Sequence, residues 1–136
     1  QDFRTLKVWQ TAHQLALDVY RDQPVSTDEL YGLTSQSRAA AVSIPSNIAE
    51  GCGRGGRREF TRFLRISAGS ASELEYQLLL ARELAYVEEA EYLSLNVRVG
   101  EVKRMLAWLM KRVKQSEAPR GSVRQVSVTR KLRTDN

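Results

Sequence analysis

The chain has 136 residues, 42% apolar and 7% aromatic, with a formal net charge of +5. That describes one soluble domain with a single core; no run approaches the ~18 apolar residues that span a bilayer and no apolar leader opens the sequence, so a cytoplasmic protein without membrane attachment is expected. One cysteine, Cys52, and one histidine, His13, exclude an internal disulfide, a thiolate-rich zinc site and the paired Glu-x-x-His motifs of a di-iron bundle, so no metal, cofactor or enzymatic activity is expected.

Apolar residues recur three and four apart through four segments, the helical period. The first predicted helix runs from Arg4 to Arg21, with Leu6, Trp9, Ala12, Ala16, Val19 and Tyr20 on one face. Asp22 to Thr27, containing Pro24, breaks it. A second helix starts near Asp28, whose carboxylate can serve as N-cap. It carries Leu33, Ala40, Ile44 and Ile48 on one stripe and is expected to end in the glycines from Gly51. Pro45 lies inside it and predicts a kink, because proline lacks the backbone donor and crowds the preceding turn. Asn47 and Glu50 flank that position, as groups that satisfy backbone freed by Pro45 or as interface residues.

The third predicted helix spans Arg57 to about Tyr86, with Phe60, Phe63, Leu64, Ala71, Leu74 and Leu78 inward. Its middle, Ser67 to Ser72, is rich in small residues that let a neighbouring helix approach closely. Glu73 and Glu75 straddle a turn, so a paired acid/base role is not expected; at least one should be partly buried against an arginine. In the fourth helix Tyr92, Leu95, Val99, Val102, Leu106, Leu109 and Val113 form a sustained seam. Trp108 lies four residues from both Arg104 and Arg112, so a guanidinium can stack on its indole, though packing in the core or an interface is the expectation. Together these predict an all-α, up-down-up-down antiparallel four-helix bundle with a kinked second helix. Residues 1–115 form that bundle, and residues 116–136 are expected to be an irregular, flexible, basic tail.

The segment from Ser43 to Arg65, SIPSNIAEGCGRGGRREFTRFLR, departs from plain bundle design. Gly51, Gly53 and Gly56 match G-x-G-x-x-G in letter, but a dinucleotide loop needs a strand before it, and here a helix precedes. Glycines stop a helix and turn the chain. That leaves the arginines unexplained. Arg57 and Arg58 open a helix, where the macrodipole disfavours cations by roughly 0.3–1 kcal/mol each. Arg58, Arg62 and Arg65 then repel one another along one face.

Bundle topology places Arg54, Arg57, Arg58, Arg62 and Arg65 at the same end as Lys111, Arg112 and Lys114, while Glu83, Glu88, Glu89 and Glu91 gather at the opposite end. The helix dipole accounts for part of this polarity, since it favours cations at a helix C-terminus and anions at an N-terminus. Two readings of the basic end stand: a nucleic-acid-binding site made by these eight residues, or a solvated surface or one committed to salt bridges between subunits of an oligomer.

The phrases SIPSNIAEG and EFTRFLRISAGSASELEYQLLLA, with FRTLKVWQTAHQLALDVY before them, resemble the four-helix-bundle proteins of the 23S rRNA intervening-sequence family, over about residues 2 to 115. That family is in turn similar to the accessory variability protein of diversity-generating retroelements. The resemblance implies a cytosolic, non-enzymatic homo-oligomer, a pentamer. It also implies RNA or DNA and a reverse-transcriptase-like protein as partners. It carries no catalytic residues. Its recurring motif positions fall on Ser43, Pro45, Asn47, Glu50, Gly51, Arg54, Phe60, Phe63, Leu64 and Glu73, with Gly53 beside them as a structural glycine.

Overall fold

The structure, a computed structural model, describes residues 2–22 and 28–134, with side chains at 2–21 and 32–116. A 3-10 turn, Phe3–Thr5, leads into four helices: α1 (Lys7–Asp22), α2 (Asp28–Arg54), α3 (Arg57–Glu83) and α4 (Glu89–Thr134). Asp2 opens the chain's first turn, its Oδ1 accepting from the Arg4 amide at 3.0 Å. The break around Pro24 lies outside the described residues, as do the side chains of Asp28 and of the tail beyond 116.

Each helix runs antiparallel to the next, and α4 closes on α1. The contacts that cross between helices show this directly. Ser67 Oγ on α3 donates to the Ile44 carbonyl on α2 at 2.8 Å, and the Ser43 and Ser70 hydroxyls meet at 2.7 Å. Lys103 on α4 pairs with Glu75 on α3 at 3.2 Å, and Arg98 on α4 with Asp18 on α1 at 2.7 Å. Arg38 on α2 donates to the Tyr20 carbonyl at the end of α1.

The core follows the predicted stripes closely. Ala12, Leu15 and Val19 of α1 meet Ala41, Ile44 and Ile48 of α2, Leu64, Ala71, Leu74 and Leu78 of α3, and Val99, Val102 and Leu106 of α4. Leu15 belongs to it although the expected face passed over it, whereas Tyr20 is 47% exposed. The serines at 67 and 70 explain how α2 and α3 come close enough for a hydroxyl to reach a backbone carbonyl. Side chains this small keep the interaxial distance at the short end of the usual ~8–10 Å.

Several boundaries differ from expectation for local reasons. α2 does not stop at Gly51; it continues through Gly53 to Arg54. The turn is made instead by Gly55 and Gly56, with φ of +65° and +115°, a region that only glycine enters without strain. α2 also passes through Pro45 as one helix. Asn47 Nδ2 donates to the carbonyl and hydroxyl of Ser43 at 2.8 and 3.0 Å. The carbonyl that loses its donor to Pro45 is that of Ala41, one turn back, so Asn47 reinforces the next step of the ladder.

α3 ends at Glu83 rather than near Tyr86, in a Schellman closure. The Tyr86 amide reaches back to the Ala81 carbonyl at 2.8 Å and the Ala85 amide to that of Arg82 at 3.0 Å, which puts Ala85 at φ +61°.

α4 departs most from expectation. Its backbone stays helical to Thr134, through Pro119 and Gly121, where an irregular tail was expected after Gln115. Among the residues whose side chains are described, Leu106 is the last fully buried one on α4, and Leu109 and Val113 are half-buried. The predicted seam ends at Val113, and backbone hydrogen bonding along a helix does not require such a stripe, so the helix outlasts it.

Candidate nucleic-acid interface

The antiparallel arrangement brings the start of α3 against α4 near residues 110–116, so the expected basic end forms. Within it the predicted cations separate into distinct groups. Arg58, Thr61 and Arg65, spaced three and four apart, occupy one face of α3. Lys111 and Lys114 project from α4 opposite them. With Met110 they line an open groove of about 520 Å³. None of these four cations has a carboxylate partner among the described residues. Cations held along one groove repel one another, and the repulsion is relieved by an anion lying between them.

Arg54 and Arg62 are placed differently. The Arg54 guanidinium grips Glu50 Oε1 through Nε and one terminal nitrogen, at 3.0 and 2.8 Å. It also stands 5.5 Å from the Phe63 ring centroid, with Arg62 at 4.9 Å. Phe63 is 8% exposed, and these two stacked cations cover it. Glu50 is thereby the ion-pair partner of Arg54 rather than a group serving the Pro45 backbone. Arg57 points across to α4, where it donates to the Ser116 carbonyl at 3.4 Å.

Arg112 lies over the Trp108 ring at 5.2 Å. Trp108 is 61% exposed, so of the expected alternatives this chain's core is excluded: its position on the helix faces away from the seam formed by Val102 and Leu106. Because α4 continues to Thr134, Lys111, Arg112 and Lys114 stand far from its C-terminus. The dipole argument that accounted for them at sequence level does not apply in this setting.

Beside this end, α1 and α4 enclose a second, mainly apolar pocket of about 500 Å³. It is lined by Leu6, Val8, Met105, Trp108 and Leu109, with Lys7 and Arg104 on its walls. Thr61 and Met110 join the groove with no charge or motif in the sequence to announce them. The Arg104–Trp108–Arg112 spacing was visible along α4, but Lys7 joins it only through the packing of α1 on α4.

His13, Cys52, Glu73 and Glu75 line neither the groove nor this pocket. His13 lies flat on Trp9 at 4.7 Å between ring centroids, 9° from parallel, rather than beside Cys52. Burial pushes the Cys52 thiol above its ordinary value, which is opposite to what a reactive thiolate needs. Glu75 pairs with a lysine, Lys103, where an arginine was expected, and Glu73 accepts from Gln77 at 3.2 Å. Among the described residues no cluster of histidine, cysteine and carboxylates could hold a metal ion. No helix in the described residues is long and apolar enough to cross a membrane.

Comparison with known proteins places these features in context. The family described as 23S rRNA-intervening sequence protein matches residues 4–107. No curated protein matches the chain significantly. Among solved structures, the chain is similar to a protein of unknown function from the S23 ribosomal protein family of Bacteroides thetaiotaomicron VPI-5482. The two share 23% identity with a TM-score of 0.68, over 76% of this chain and 98% of the other. At that identity the likeness establishes the fold.

Proposed function

The chain belongs to the 23S rRNA-intervening sequence protein family, and from that premise we propose that it is a non-enzymatic, homo-oligomeric bundle that binds RNA or another nucleic acid through its basic end. The observation that carries the reading is the α3–α4 groove, where Arg58, Arg65, Lys111 and Lys114 converge with no carboxylate among the described residues that line it. Phosphates are the natural counter-charge, and recognition of this kind is backbone-directed and sequence-tolerant. Arg57 and Arg112 extend the positive surface. Arg54 and Arg62 contribute field while covering Phe63.

Self-association is supported by a separate surface. Leu93 and Val97, one turn apart on α4, are 51% and 64% exposed, and Tyr76 on α3 is 63% exposed. In a ring assembled through such faces the basic groove would repeat around one rim. The rival reading commits the arginines to salt bridges between subunits.

Fluorescence anisotropy with a labelled structured RNA separates the two. Neutralising about four phosphates predicts an affinity loss of roughly 50- to 150-fold between about 50 and 200 mM salt, the larger figure for duplex regions. The Arg58→Glu/Arg65→Glu/Lys111→Glu variant should lose binding and keep its mass in light scattering. Failure to bind at low salt, or binding that the triple reversal leaves intact, overturns the proposal. A variant that becomes monomeric supports the salt-bridge reading.

A further inference from the structure

The α1–α4 pocket and the basic groove are lined by successive turns of the same helix, α4. Lys111 faces the groove, and Trp108, one turn before it, forms a wall of the pocket. From this juxtaposition we infer that the preferred ligand is single-stranded nucleic acid, with one unstacked base seated against Trp108 and the adjoining phosphates held by Lys111 and the groove. The inference rests on the nucleic-acid reading and names its ligand class.

Three features of the pocket carry it. Its apolar lining, from Leu6, Met105, Trp108 and Leu109, suits the flat faces of a heterocycle. At about 500 Å³ it has room for a base and part of its sugar. Every charged residue on its wall, Lys7 and Arg104, is a cation, so the apolar surface is framed for an anionic chain. A docking helix of ordinary mixed charge would find no carboxylate there to pair with.

Trp108 is also set up as a stacking platform. It is 61% exposed while the Arg112 guanidinium holds it at 5.2 Å. A stacked cation fixes the indole without burying it. Binding of single strands couples a positive groove to aromatic side chains on which bases stack. In a duplex the bases are already stacked on one another, so the pocket would go unused and only the phosphate groove would contribute.

The test compares a fluorescein-labelled oligo-deoxyadenosine, its ribose counterpart, and the deoxy strand annealed to its complement. Both single strands should bind more tightly than the duplex, and the ratio between the two reports whether the ribose hydroxyl matters. Trp108→Ala should weaken single-strand binding roughly tenfold or more and leave duplex binding within about twofold, while Trp108→Tyr restores most of it. In the Trp9→Phe background, where Trp108 is the remaining tryptophan, single strands should quench its fluorescence and duplex should not.

Equal binding of all three probes with no effect of Trp108→Ala would overturn this inference and leave the phosphate groove standing. Absence of any binding at low salt would remove both. Conversion of the oligomer to a smaller species by Trp108→Ala alone would assign the pocket to a subunit contact and also overturn it.

Discussion

A methyl group on Gly51 would stand 2.9 Å from the Cβ of Phe63 and 3.1 Å from the Phe60 ring. The end of α2 and the start of α3 approach so closely that no side chain fits between them, and the first turn of α3 is held where its cations face α4. Gly51→Ala is expected to cost roughly 1–3 kcal/mol by overpacking, read as a lower urea midpoint. Two residues on, Gly53 lies in the same helix with nothing within 4 Å of an added Cβ. Gly53→Ala should stabilise by up to about 1 kcal/mol through helix propensity. Opposite signs from two neighbouring glycines would verify the packing, and equal effects would refute it.

Ala85 closes α3 in the left-handed region, at φ +61°, a conformation that costs an L-residue roughly 1–2 kcal/mol. Ala85→Gly removes that cost and adds some unfolded-chain entropy. A net gain of about 0.5–1 kcal/mol is expected, measurable as a raised thermal midpoint.

The Asp18–Arg98 pair, 2.7 Å apart, ties α1 to α4, with side chains only 26% and 28% exposed. Removing Asp18 leaves the largely desolvated Arg98 charge without its carboxylate, and removing Arg98 leaves Asp18 with only the Gln14 amide, at 3.2 Å, among the described residues. Asp18→Asn and Arg98→Met should each cost about 1–3 kcal/mol, and the double variant should cost less than their sum. A double-mutant cycle in urea measures the coupling; strict additivity would contradict the pair's role.

Burial raises the Cys52 thiol, so its protonated form persists to higher pH in the folded protein than in the unfolded chain. The thiolate is the reactive species. Labelling by a thiol reagent at about pH 8 should therefore be slower in native protein than in urea-unfolded protein. The native rate should keep rising after the unfolded rate has levelled off. Identical pH profiles would show that the thiol is unperturbed.

Much of the bundle was legible in the linear order of residues. The three-four spacing from Tyr92 to Leu106 named the buried seam of α4, and Ser67 to Ser72 announced a close helix approach. Both are properties of one helix face, which periodicity reports directly. Gly51 was misread as a helix stop, because a glycine that ends a helix and one that admits a neighbour look alike until the neighbour is present. Trp108 was left between core, interface and arginine stacking for a related reason: its spacing from the seam is ambiguous where the seam itself is running out.

The sequence by itself determined four amphipathic helices, their order and the accumulation of cations at one end, since each follows from local periodicity and short connections. Only the tertiary structure decided how those cations divide. Arg54 and Arg62 cover Phe63, Arg112 stacks on Trp108, and Arg58, Arg65, Lys111 and Lys114 share a groove. Which faces of α3 and α4 meet depends on the rotation of each helix about its own axis. That rotation is set by packing across the whole core, and residue spacing within one helix does not contain it.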